Sequence, residues 1–305
     1  MRERIRQGLK RLIPVESLKY SRGQRWGTVI AVSSQKGGVG KTTSAVSLGA
    51  ALARFHQRPT LIIDMDAQGH VEKSLKAHLS NSQAKKTLSE VLLESNHVDV
   101  LDAVIQTSLP ELHITGADPG LTETEGLMTT KIAKEFLLRD GITFARTHYD
   151  YIIIDCPPNL GNLTLNALVA ADYVISPCDA SPLAIQGVED LINVMVTINR
   201  RLNRNLDLLG VLLTRLDRRN STINEIALEQ LGQEYGDLLL NSTVGVTTAL
   251  AKAQFEGRSI FEFSSRCRVA LQYRALAKEV INRLTLLNCE EEGASGVKQE
   301  IMGVA

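Results

Sequence analysis

The stretch Thr28-Val-Ile-Ala-Val-Ser-Ser-Gln35-Lys36-Gly37-Gly38-Val39-Gly40-Lys41-Thr42-Thr43 decides the fold. Its first half is a short, uninterrupted, β-rich apolar run, the pattern of a strand buried on both faces of a parallel sheet. Its second half places three glycines in four positions, so the backbone can turn tightly and aim successive N–H groups at phosphate oxygens. A helical pattern over about 41–54 follows, and the positive end of that helix adds to an anion site. Lys41 is placed to reach the β- and γ-phosphates of a nucleotide, and the Thr42 hydroxyl to ligate Mg²⁺. The usual phosphate loop reads G-x-x-x-x-G-K-[ST]. Here Gln35 stands at the first glycine position, so the strict pattern fails, although the flanking strand and helix are as required.

Outward from this loop the chain alternates. Short apolar runs at 60–63, 112–115, 151–154, 173–176 and 208–213 read as buried strands, and helical patterns at 121–138, 183–202, 223–231 and 268–287 lie between or after them. This alternation predicts one doubly wound α/β domain over 27–287, a mostly parallel central sheet flanked by helices, with ligands at the carboxyl ends of the strands. Two strand ends are acidic: Asp64 and Asp66 close the second run, and Asp155 closes the run at 151–154. These acids are either metal and water ligands or caps of strand ends.

Composition narrows the classes. The 305 residues carry 34 Lys+Arg and 34 Asp+Glu, so a whole-molecule polycation for nucleic acid is excluded, while local basic patches are not. Aromatics at 4% argue against a surface that reads bases by stacking. No apolar run approaches the ~18 residues of a membrane span, and the N-terminus lacks the apolar core of a secretory signal. Cys156, Cys178, Cys267 and Cys289 show no C-x-x-C spacing, so a zinc site or disulfide framework is not expected, and a reducing cytoplasm is.

The ends differ from the middle. Residues 1–25 hold eight basic and two acidic side chains, a balance of +6, leaving −6 for the rest. Ile5, Leu9, Leu12 and Ile13 fall on one face of a short basic amphipathic helix over 2–13, stopped near Pro14. Residues 1–26 therefore read as a basic extension: a solvated tail, a partner-docking helix, a nucleic-acid arm or a weak membrane contact. Residues 288–305, with Glu290, Glu291, Glu292 and Glu300, read as a flexible acidic tail.

The phosphate loop resembles the deviant Walker A motif of the ParA/MinD family of ATPases, and the resemblance extends over about 27–287. Gln35 before the lysine is the ParA-type spelling. The family's signature lysine matches Lys36, which the resemblance implies reaches across a nucleotide-sandwich dimer to the partner's ATP, as an arginine finger does. Residues 64–70 resemble the family's switch I, with Ala67 in place of Pro and His70 in place of Asn. Residues 151–161 resemble Walker B followed by switch II. The resemblance implies ATP and Mg²⁺ as cofactors, with Gln35 to Thr43 around the phosphates. Lys36, Lys41 and Asp66 are the implied catalytic groups, Asp66 orienting or activating the attacking water, and Thr42, Asp64 and Asp155 the implied metal site. Pro157 and Pro158 would stiffen the γ-phosphate sensor, and Cys156 reads as a small buried hydrophobe. His70 reads as a loop residue. Thr214 and Asp217 are candidates near adenine.

ParA-type relatives bind double-stranded DNA without sequence preference. Arg215, Arg218 and Arg219 in one loop, and Arg258, Arg266, Arg268 and Arg274 near the last helix, are the candidate contacts; Arg200, Arg201 and Arg204 form a further cluster. The implied function is an ATP-dependent homodimer on nucleoid DNA, which hydrolyses ATP weakly until a stimulating partner or cargo adaptor acts. It would thereby segregate or position a chromosome, plasmid or protein assembly. The rival is a MinD-like membrane-cycling ATPase acting through residues 2–13, which the acidic, glycine-broken C-terminus disfavours. A metabolic relative, an ATP-dependent synthase or an iron–sulphur donor, is the third reading.

Overall fold

The structure, a computed structural model, describes residues 26–79, 83–94 and 98–302; the side chains of 218, 221, 288 and 290–302 are not among those described. The amphipathic segment 2–13 lies outside the described residues.

Seven strands form one sheet: β1 (Thr28–Val32), β2 (Thr60–Asp64), β3 (Val104–Gln106), β4 (Leu112–Thr115), β5 (Tyr151–Asp155), β6 (Tyr173–Asp179) and β7 (Asp207–Thr214). Their order is β3-β4-β2-β5-β1-β6-β7. All neighbours pair in parallel except β3 and β4 at the edge. All six apolar runs form strands. The edge strand β3 escapes sequence reading because it is three residues long and nowhere fully buried.

The period of two explains why these runs carry no polar alternation. Val29, Ala31, Leu61, Ile63, Ile152 and Ile154 enter one core, while Ile30, Val32, Ile62 and Ile153 enter the other. Both faces are covered, so every position must be apolar. The five longest helices among the described residues are α1 (Lys41–His56), α2 (Asn162–Ala170), α3 (Pro182–Arg201), α4 (Ser221–Tyr235) and α5 (Arg268–Met302). Leu48 and Leu52 of α1 share a core with Tyr273 and Leu276 of α5. Leu168 of α2, Leu191 of α3 and Leu231 of α4 lie in the opposite core.

Two helical readings change. The pattern at 121–138 breaks after Leu121–Met128 and resumes as Leu137–Gly141. The Thr129 and Thr130 hydroxyls donate to the Gly126 and Leu127 carbonyls, and such local bonds compete with helix continuation. Ala133 then takes a left-handed conformation, φ 56°. The last helix does not stop at residue 287 but continues to Met302, through the segment read as a flexible tail; its glutamates and alanine are good helix formers.

Topology places the site. From β1 the chain crosses to β2 on one side, and from β5 it passes β1 to reach β6 on the other. The carboxyl ends around β1 are therefore the switch point, where a crevice opens in this class of sheet. Asp64, Asp155, Asp179 and Thr214 are the last residues of β2, β5, β6 and β7.

Candidate functional site

The loop between β1 and α1 is a turn that only glycine tolerates at two places. Gly38 and Gly40 have φ of 78° and 91°, and Gly40 is the residue from which α1 starts. A Cβ placed on Gly37, Gly38 or Gly40 would meet nothing within 4 Å, so the loop borders open space. That space is a cleft of about 600 Å³ lined by the three glycines, Lys41, Thr42, Thr43, Asp66, Gln68, His70, Lys73, Pro158, Arg215 and Gln254, among others. The N–H groups of the first turn of α1 have no intrahelical partner and present the positive end of the helix dipole at this cleft.

Lys41 is buried at the mouth of α1, its Nζ donating to the Lys36 carbonyl at 3.1 Å. Burial lowers its pKa, and the nearby Asp155 carboxyl opposes that shift. Asp155 pairs in register with Asp64 across β2 and β5 and is fully buried. Burial, then the Asp64 carboxyl, push its pKa well above the usual carboxylate range. Among the described residues neither carboxylate oxygen has a partner in full hydrogen-bond geometry, although the Thr42 hydroxyl lies close enough to oppose that shift. A buried carboxylate left this way costs several kcal/mol unless a cation compensates it. Hard oxygen donors from Asp155 and Thr42 fit Mg²⁺, which keeps waters and takes few protein ligands.

Asp64, expected near Mg²⁺ directly or through water, is bonded into its own turn. Its Oδ1 accepts from Asp66 N and its Oδ2 from Val71 N, both at 3.0 Å, while its own N–H is held by Thr115 Oγ1. Both oxygens thus brace the turn that carries Asp66, and each keeps a further lone pair for a metal ion or its water. Burial raises its pKa to about 6. Asp66, by contrast, lines the cleft; one oxygen accepts from Gln68 N at 3.0 Å. His70 starts the helix His70–Ser74, is exposed and also lines the cleft. Burial pushes the Cys156 thiol up, which keeps it an inert filler.

Other expected residues are redistributed. Lys36 is turned onto its own chain, with Nζ 3.1 and 3.0 Å from the two Asp179 oxygens and 2.6 Å from Ser181 Oγ. Thr214 and Asp217, expected near adenine, are occupied within the protein. Thr214 Oγ1 is buried and donates to Val39 O at 2.7 Å and Cys178 O at 3.1 Å, tying the phosphate loop to β6. Asp217 accepts from Arg219 and is held at a pKa of about 2 by that guanidinium. Neither residue lines the cleft. Val39 is a core residue reached only through its carbonyl.

The arginine cluster at 215–219 is split. Arg215, in a left-handed conformation with φ 57°, donates to Gly38 O at 2.8 Å and lines the cleft, so it belongs to the phosphate loop. The Arg218 side chain is outside the described set. Arg258 lies on Glu256 and the Glu262 carbonyl, Arg268 touches Val246 O, Arg274 stacks over Phe55, and Arg266 is exposed. Sequence reading missed Gln254, whose Nε2 donates to Thr43 Oγ1 at 2.7 Å, and the Asp179–Ser181 receptor for Lys36. Both lie more than 140 positions from the loop they touch, and only the sheet order brings them there.

Thr214→Val keeps the shape and removes the one hydroxyl donor that the Val39 and Cys178 carbonyls share, so it is expected to cost roughly 1–3 kcal/mol of folding free energy. Urea unfolding without nucleotide reads this. An unchanged midpoint would mean that the tie to Val39 is not holding the loop.

Comparison with known proteins places this geometry. A family model described as an AAA domain matches residues 27–208. The chain is 35% identical over 257 residues to the chromosome partitioning protein ParA of Caulobacter vibrioides, covering 84% of this chain and 94% of that protein. It is 35% identical over 254 residues to the sporulation initiation inhibitor protein Soj of Bacillus subtilis, covering 83% and 98%. Among solved structures, cobyrinic acid a,c-diamide synthase from Mycobacterium smegmatis with bound ADP and magnesium superposes with a TM-score of 0.70 at 30% identity, covering 85% of this chain and 96% of that one.

Proposed function

This chain belongs to the ParA/MinD family of ATPases, with ATP and Mg²⁺ as its cofactors, and we propose that it is a dimerising switch that rides nucleoid DNA and positions a cargo. What carries the reading is the pair of lysines on one loop. Lys41 is buried in the cleft near Asp155, while Lys36, 30% exposed, rests on Asp179 and Ser181.

In this account Lys41, the first turn of α1 and Arg215 bind the phosphates. Thr42 and Asp155 hold Mg²⁺, which offsets charge on the β- and γ-phosphates when bound. Asp66 sits on the turn braced by Asp64 and orients or deprotonates the attacking water. Lys36 exchanges its three contacts with Asp179 and Ser181 for the phosphates of the partner's ATP. Dimerisation is thereby made conditional on the triphosphate. A stimulating partner or cargo adaptor sets when hydrolysis ends the dimer.

The DNA arm of the proposal rests on the two partitioning relatives, matched over 94% and 98% of their length, and on exposed arginines, Arg200, Arg201 and Arg204 at the end of α3 and Arg266 before α5. Among the described residues no helix is long and apolar enough to cross a membrane. Co-sedimentation with random-sequence duplex in ATP and Mg²⁺ tests it. Binding is expected with ATP and not ADP. Six released counterions per dimer would give a log–log salt slope near about −5. Binding to anionic vesicles instead of DNA, or a turnover that rises only with a small carboxylic acid, would overturn it.

A further inference from the structure

A second cavity, of about 610 Å³ and so as large as the nucleotide cleft, opens on the far flank of the sheet. Its apolar walls include Val98, Ile132, Leu137 and Phe144. Ile132 is 96% and Phe144 62% exposed, an unusual state for large apolar side chains grouped at one depression. Three carboxylates, Glu94, Asp99 and Asp140, and one ammonium, Lys131, belong to the lining; Glu94 is paired with Lys86 and Asp140 with Arg139. Lys131 is turned away onto the Leu93 carbonyl, and Asp99 is engaged by the Leu101 and Phe144 N–H groups. The groove is thus apolar, with a margin of charges that are already paired.

The described chain begins beside this groove. The Trp26 ring lies 4.4 Å from the Arg146 guanidinium, and Gly27 exchanges bonds with Arg146, N to O at 2.7 Å and Nε to O at 3.0 Å. Arg146 belongs to the one-turn helix Ala145–His148, which starts immediately after Phe144. The described chain thus starts in contact with Arg146, two residues beyond Phe144, and residues 1–25 precede it in sequence. They carry the net +6 and the apolar set Ile5, Leu9, Leu12 and Ile13. Residues 14–25 can bridge at most roughly 40 Å when extended, which comfortably spans a cavity of this size.

We propose that residues 2–13 of this same chain dock in the groove, setting Ile5, Leu9, Leu12 and Ile13 against Ile132, Leu137 and Phe144. Apolar burial supplies the adhesion. The site borders the switch region: Asn166 of α2, the helix that follows the Asp155–Gly161 turn, accepts from Leu138 N at 3.1 Å and donates to Lys134 O at 2.8 Å.

The test uses the full chain with p-benzoylphenylalanine in place of Ile132, whose exposure makes the change harmless to the core. Irradiation followed by digestion and mass spectrometry is expected to join position 132 to residues 2–13 in the band of one chain's mass. The yield should fall at least fivefold in the double variant Ile5→Asp, Leu9→Asp. In a chain lacking residues 2–13, a labelled peptide of residues 1–25 should bind at least tenfold more tightly than it does to the full chain, where the groove is occupied. Absence of the crosslink to 2–13, a crosslink found only at twice the chain mass, or equal peptide binding to both chains would overturn the proposal.

Discussion

Lys41→Ala is expected to reduce ATP and ADP affinity by about 10²–10³-fold, the equivalent of two lost charge-assisted hydrogen bonds, about 3–4 kcal/mol. The lysine is buried where α1 opens, and its depressed pKa records that burial already costs it free energy in the empty cleft. A phosphate chain restores its partner, so the interaction is gained on binding rather than on folding. Its only hydrogen bond among the described residues is to the Lys36 carbonyl at 3.1 Å, so little of the loop depends on it. Unfolding of the nucleotide-free variant should therefore stay close to wild type while isothermal titration loses its signal. A variant that still binds ATP within fivefold of wild type would move the phosphates to another part of the cleft.

The second large effect is on turnover. Asp66→Ala and Asp66→Asn are both expected to lower ATP hydrolysis by about 10²–10⁴-fold while leaving ATP binding intact. The pair matters because Asp66 has a structural duty, accepting from Gln68 N at 3.0 Å. Asparagine keeps an acceptor oxygen there and removes the base; alanine removes both. If hydrolysis survives in Asp66→Asn and fails only in Asp66→Ala, the residue shapes the turn and another group handles the water. Binding is predicted to persist because Lys41, Thr42 and Asp155 are untouched, and single-turnover phosphate release with radiolabelled ATP separates the two steps.

These residues were legible because their signal is local. The strand, glycines, lysine and hydroxyl of the phosphate loop occupy sixteen consecutive positions, and each glycine conformation is dictated within the loop itself. The parallel sheet was legible because burial on both faces leaves no polar alternation, as in β1, β2 and β5. What could not be read depends on what the fold brings alongside. Asp64 and Asp66 look equivalent as letters two apart. The register of β2 with β4, and the turn back to Val71, assign the first to bracing and leave the second facing the cleft. Arg215 and Arg219 look like one basic cluster. A left-handed residue at the end of β7 turns Arg215 onto Gly38, whereas Arg219 folds onto Asp217. Thr214 carries the same lesson: a hydroxyl near the nucleotide in sequence terms is used up by Val39 and Cys178.

The central claim is that two copies close over two triphosphates, with Lys36 of each leaving Asp179 for the other's nucleotide. Light scattering on the purified chain in Mg²⁺ tests it most directly. With a non-hydrolysable ATP analogue the account predicts a mass of 2 × 33.4 = 66.8 kDa for wild type, and 33.4 kDa with ADP or for Lys36→Ala. A single-chain mass for wild type at saturating analogue, or a dimer that forms equally with ADP, would contradict it.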